Sequence, residues 1–138
     1  MSIQQGITTS FKQQMLQAQQ NLATDTLKMA LYTAFATLGP TTTAYSTDNE
    51  ITGTGYTAGG QTLTGVSINT ATDGTVYVNF DNVVWSGSQL TARGALIYNV
   101  TQSNASVAVL DFGADKTMTN FTVTMPANTA TTALIRFP

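Results

Sequence analysis

The chain has 138 residues and a net charge of −2 from five basic and seven acidic side chains, and 42% of it is hydrophobic. That length sets one domain with a buried core, and five cations are too few for a basic patch that holds nucleic acid or an anionic membrane. It contains no His and no Cys, which excludes a Ser–His–Asp relay, a thiolate nucleophile, a His- or Cys-ligated metal and a disulfide, and no cofactor is expected.

Residues 1–24 are glutamine-rich and place Ile7, Phe11, Met15, Ala18 and Leu22 at spacings of four, four, three and four. This is a narrow apolar stripe at helical period and predicts an N-terminal helical arm. Thr8, Thr9 and Ser10 offer N-cap hydroxyls, and Gln13 follows Ser10 by three, as in a capping box. So thin a helix is marginal alone and must lie against its own domain or a neighbour. Ile7, Phe11, Met15 and Leu22 are therefore the candidate contact residues of the arm. The first twenty residues lack the charged and apolar regions of a secretory leader. The apolar run at 29–36 is too short to span a bilayer and reads as a core strand.

From about residue 25 the vocabulary turns to Thr, Gly, Val, Asn and Tyr, which predicts a β domain over 25–138. Strands are expected near 27–36, 63–69, 75–85, 92–100, 106–112, 119–125 and 132–137, with a Thr/Gly-rich stretch at 41–61. Val76/Val78/Phe80, Phe121/Val123/Met125 and Val66/Ile68 alternate with polar neighbours, as half-buried strands do. Ala95–Tyr98 and Val107–Leu110 are apolar on both faces, so they are expected to be central strands covered on both sides. Asp73-Gly74 signals a two-residue hairpin turn between 63–70 and 75–80. The fold class is mainly β, an antiparallel β-sandwich with jelly-roll as one topology and a short N-terminal helical arm.

Several strings resemble chemistry and have simpler readings. Gly53-Thr54-Gly55-Tyr56-Thr57-Ala58 fits a dinucleotide fingerprint, but no helix follows to hold a pyrophosphate, so it reads as a surface loop. Asp111-Phe112-Gly113 lacks every other kinase motif and reads as a strand end. The acids Asp25, Asp48, Glu50, Asp73, Asp81, Asp111 and Asp115 form no spacing that selects a hydrolytic pair. Asp48, Asn49 and Glu50 are a calcium-loop candidate without the usual glycine and ligand spacing. Sequons at Asn99, Asn104 and Asn120 are expected by chance in such a composition. Trp85 is either a sugar-stacking platform or a core residue, with the core reading preferred.

The order Tyr56-Thr57-Ala58-Gly59-Gly60, Trp85, Leu90-Thr91-Ala92-Arg93-Gly94-Ala95-Leu96-Ile97-Tyr98-Asn99, Val109-Leu110-Asp111-Phe112-Gly113 and Phe121-Thr122-Val123-Thr124-Met125-Pro126 resembles small virion structural proteins of tailed bacteriophages, most of all head decoration (cement) proteins. The resemblance covers roughly 56–137 and leaves out the arm. It implies a non-enzymatic β-rich protein, often a trimer, whose partner is the major capsid protein. It places the protein on the capsid surface of the virion after synthesis in the host cytoplasm. The alternatives are another virion part, in the tail or near the portal, and a carbohydrate-binding or adhesin module. On this reading the arm residues Ile7, Phe11, Met15 and Leu22 would contact the shell or a neighbouring subunit.

Overall fold

The computed structural model describes residues 2–137, with Ser88 described by its backbone alone. Strands hold 44% of the residues and helix 6%. The elements are β1 (Gly6–Ile7), α1 (Thr9–Leu16), β2 (Leu27–Tyr32), β3 (Gln61–Thr62), β4 (Ser67–Thr70), β5 (Val76–Asn79), β6 (Val83–Asn99), β7 (Ala105–Val123) and β8 (Ile135–Phe137). One sheet has five strands in the order β1-β7-β6-β2-β3, and the other has three in the order β4-β5-β8. All pairings are antiparallel. The division is five and three, not the four and four of a jelly roll.

The hairpin of β6 and β7 is the spine. Its ladder runs from Val83↔Val123 to Asn99↔Ala105, with irregularities after Trp85, Ala92 and Ile97. The expected strands 106–112 and 119–125 are thus one long strand, bent where Phe112 to Asp115 bulge opposite Arg93. Asp111 stabilises the bulge by accepting from the Gly113 N–H at 2.8 Å.

The expected strand 75–85 divides in two. Val78 and Phe80 are buried, and so are Val83 and Trp85, so the inward phase shifts from even to odd positions across Asp81-Asn82. A strand that shifts phase must turn or change sheets. Here it leaves the small sheet at Asn79 and joins the large one at Val83. Asn82 fixes the crossing by accepting from the Met125 N–H at 2.7 Å. Asp73-Gly74 does mark a hairpin, but its loop has three residues and not two, closed by the Ala71 N–H to the Thr75 carbonyl. Gly74 supplies the positive φ of 93° that such a loop needs.

Both faces of the large sheet are covered, as the doubly apolar segments require. On one face Ala95, Ile97 and Val107 pack with Val78 and Ile135 of the small sheet and with Phe80 just beyond it. On the other, Leu96, Tyr98 and Val109 pack under Ile3, Ala36 and Leu38.

The N-terminal segment departs most from expectation. It is not one helix, and it does not stand apart from the β domain. Ile7 lies on β1, paired with Ala108 of β7. α1 spans eight residues, capped by the Thr8 hydroxyl accepting from the Phe11 N–H, so no capping box forms between Ser10 and Gln13. The helix ends in a Schellman turn: Ala18 N–H bonds the Met15 carbonyl and Gln19 N–H bonds the Gln14 carbonyl. Ala18 takes the left-handed position with φ 57°. That turn breaks the period, and Leu22 reaches the core from the segment beyond. Phe11 and Leu22 are buried among the chain's own core residues, while Ile7 and Met15 are half-buried against it. Phe11 and Leu22 are therefore core residues of this fold and not the exposed anchors of a detachable arm.

Phe11→Ala is expected to destabilise the fold by about 3–5 kcal/mol, since it empties a fully enclosed site. Removing residues 1–22 is expected to abolish cooperative urea unfolding followed by circular dichroism. A truncated chain that unfolds as cooperatively as the full one would return the segment to the status of an arm.

Candidate functional site

Polar and apolar side chains gather at three places. The first is Glu50, within the long loop between β2 and β3. Its Oε1 accepts from the Tyr45 hydroxyl at 2.6 Å, and its Oε2 accepts from the Gly59 N–H at 2.8 Å and from the Tyr56 hydroxyl. Tyr56 in turn accepts from the Leu31 N–H at 3.0 Å, and Tyr98 donates to the Gly59 carbonyl at 2.7 Å. The Tyr45 and Tyr98 rings stack at 4.6 Å. Burial first, and the Glu50 charge after it, push the phenols of Tyr45, Tyr56 and Tyr32 well above the ordinary range. Tyr98 is raised to about 12 by the same two causes. The phenols stay protonated, which keeps them donors.

The loop is tied so closely to β2 that a Cβ on Gly60, whose φ is 83°, would lie 1.7 Å from the Met29 carbonyl oxygen. Glu50 therefore works as a clamp, and its carboxylate is occupied by loop donors. This overturns the calcium-loop candidate at Asp48, Asn49 and Glu50, whose principal ligand faces inward. Among the described residues no group of three or more acids, His or Cys gathers as a metal site.

The second place is a polar seam beside the β6–β7 turn. Ser106, wholly buried, donates to the Thr42 carbonyl at 2.7 Å and meets the Thr8 hydroxyl at 2.8 Å. Asn99, also wholly buried, donates to Gln20 Oε1 at 3.1 Å and to Asp25 Oδ2 at 2.8 Å. Burial tends to raise the Asp25 carboxyl. Donors from the Asn21 backbone and from the Asn99 and Gln102 side chains outweigh that and hold it below the ordinary value. The sequon asparagine Asn99 is thus enclosed, whereas Asn104 and Asn120 are exposed.

The third place is an open apolar groove of about 590 Å³, between the end of α1 and the inner face of the small sheet. Met15, Leu16, Leu22, Ile68, Val76 and Phe137 line it. Ile68 stands opposite Val78 in register, so both share one face. Val78 is buried, but Ile68 is 47% exposed. The alternation of Val66/Ile68 predicts burial, and the structure corrects it: β4 is an edge strand that overhangs the core. Leu16 is 92% exposed.

Of the four expected contact residues, only Met15 lines this groove besides the buried Leu22. Leu16 and Ile68 are the residues that the sequence reading missed. Leu16 follows Met15 directly and so stands off the apolar stripe, and a large apolar side chain on the polar face was its signal.

Trp85 is 1% exposed, with its ring against Tyr56 and edge-on to Phe121. It is a core residue and offers no face to a sugar. Arg93 pairs with Asp111 at 3.5 Å on the flank of the bulge. No helix is long and apolar enough to cross a membrane among the described residues. Neither a protein family, a curated protein sequence nor a solved structure matches this chain.

Two outcomes test the polar places. Glu50→Gln puts an amide donor against other donors and is expected to destabilise the fold by about 1–3 kcal/mol. It should also let Tyr45 and Tyr56 ionise at lower pH in a spectrophotometric titration, and unchanged phenol titration would remove Glu50 from its role as their acceptor. For Asp25 the folded carboxyl lies below its unfolded value. Its contribution is therefore present above about pH 4 and lost as pH falls through the folded value. Asp25→Ala should lower the urea midpoint at neutral pH, and the difference from wild type should shrink in acid. A difference independent of pH would show that Asp25 acts by packing.

Proposed function

We propose that this protein is a non-enzymatic structural subunit of a tailed-bacteriophage virion, a decoration or cement protein that seats on the assembled head shell and stabilises it. The observation that carries the reading is the character of the surface. Charged residues are only 9% of the chain, against a usual share of about 25%, while Leu16, Phe35, Val66, Ile68, Val84 and Val100 are exposed. A surface of hydroxyls, amides and apolar side chains suits lasting protein contact, where each buried charge would need a partner. The residue order over roughly 56–137, with its resemblance to head decoration proteins, points the same way.

Attachment then belongs to the folded body. Each Leu or Ile side chain buried in a contact contributes about 1.5–3 kcal/mol, so one copy binds modestly. Several linked copies bind far more tightly through effective concentration. The major capsid protein is the proposed partner, and the resemblance implies a trimer as the seated unit.

A count of the protein in purified particles tests the placement. Copies on the order of hundreds per particle, on a shell of high symmetry, are the expected result, while about six to eighteen would place it in the tail or at the portal. Purified protein should also rebind particles that lack it, and Leu16→Glu should weaken that rebinding. Failure of the wild-type chain to rebind would remove the decoration role. The glycan-binding alternative gains nothing from Trp85, whose ring is enclosed.

A further inference from the structure

Among the described residues the outer edge of β4 is unpaired, since β5 occupies its other side and the small sheet ends there. In this ladder the Ala71 N–H bonds the Thr75 carbonyl. Antiparallel alternation then directs the N–H groups of Ser67 and Asn69 toward β5, and those of Ile68 and Thr70 outward. Exposed edges are usually blunted by lysine, proline, a bulge or an inward charge. β4 has none of these and is limited only by its length of four residues: its sequence is Ser67-Ile68-Asn69-Thr70, and no charged residue occurs between Glu50 and Asp73. On the inner side of the same edge lies the apolar groove, beside the exposed Leu16.

We infer that β4 is a self-association edge, and that its occupant is the β4 of a second copy of this chain. A two-fold axis at Asn69 would set Ile68 of one copy opposite Thr70 of the other. Their outward N–H and carbonyl groups would then bond reciprocally and join two three-stranded sheets into one.

Two observations favour a second copy over a partner of other chemistry. The groove lining contains no charged side chain, so a basic or acidic partner would leave its charges unpaired there, whereas a copy meets neutral surface with neutral surface. The edge also offers main-chain bonds that an identical strand satisfies in register.

The contact is small. About a dozen residues a side take part, against the roughly 20–30 of a standard interface. The dimer should therefore form reversibly with concentration. This inference does not rest on the virion role, because it concerns the isolated chain, and it is two-fold where the resemblance implies three-fold.

Sedimentation velocity of the full chain from about 1 to about 500 µM is expected to show a monomer–dimer equilibrium with a midpoint of tens of micromolar. Ile68→Lys and Thr70→Pro should each weaken it at least about tenfold, the first by charging the edge and the second by removing an outward N–H. Phe35→Lys, at an exposed position outside the groove, should leave it unchanged. Amide exchange on the wild-type chain supplies a reading that does not depend on any variant folding. The Ile68 and Thr70 amides should slow as concentration rises through the midpoint. A wild-type chain monomeric throughout, a trimer without a dimer, or a dimer that neither variant weakens would each overturn the inference. So would exchange at Ile68 and Thr70 that ignores concentration.

Discussion

A buried polar group away from water must find a partner, and this constraint decides how the first 25 residues sit. Ser106 and Asn99 are both wholly enclosed. An unpaired hydroxyl or amide in such a place costs about 1–3 kcal/mol. Their partners come from Thr8, Gln20, Asp25 and Thr42, all distant in sequence. The seam therefore specifies one position for the N-terminal segment, and it does so with geometry that an apolar contact alone would not impose. Phe11 then fills the space beneath it.

The same principle holds the other irregular part. The loop between β2 and β3 is long and has little secondary structure, yet Glu50 gathers Tyr45, Tyr56 and the Gly59 N–H around one carboxylate. Loop and N-terminal segment together cover the second face of the large sheet, with Leu38 and Ile3 packed over Leu96 and Val109. Two polar anchors thus turn loop-rich sequence into a third layer. A body closed in this way presents a fixed surface, which is what a subunit docking through its face needs.

Much of the β architecture was legible. The period-two patterns at Val76/Val78/Phe80 and Phe121/Val123/Met125 gave the inward faces except at Val76, which is half-buried while its polar neighbours Thr75 and Asn79 are buried. Ala95–Tyr98 and Val107–Leu110 read as covered on both sides. The strand division at Asp81-Asn82 was present as a phase shift between Phe80 and Val83, which a search for whole strands overlooks. The helix end was not legible. A Schellman turn is ordinarily announced by glycine, and here Ala18 takes that position, so the stripe ran on through Leu22. Ile7 kept helical spacing with Phe11 while lying on a strand, because a two-residue strand is too short to show a period. Burial of Ile68 could not be judged from alternation, which marks a face but not whether a layer lies over it. Glu50 read only as part of the calcium-loop candidate at Asp48, Asn49 and Glu50, since its phenolic donors Tyr45 and Tyr56 lie on either side in a loop without periodicity.

The seam also bears on how the chain is made. Thr8 and Ser106 are 98 residues apart, and β1 finds its ladder partner only in β7. On the ribosome this segment emerges well before β7 and has nothing to pair with until the intervening strands have followed. Domains generally complete as units during synthesis, and distant pairings form slowly because the loop must close first. For this chain, closure waits for the β6–β7 hairpin, whose two strands are neighbours in sequence. Until then Phe11 remains uncovered on the nascent chain, so a segment made before the strands it packs on is the last piece of the core to be sealed.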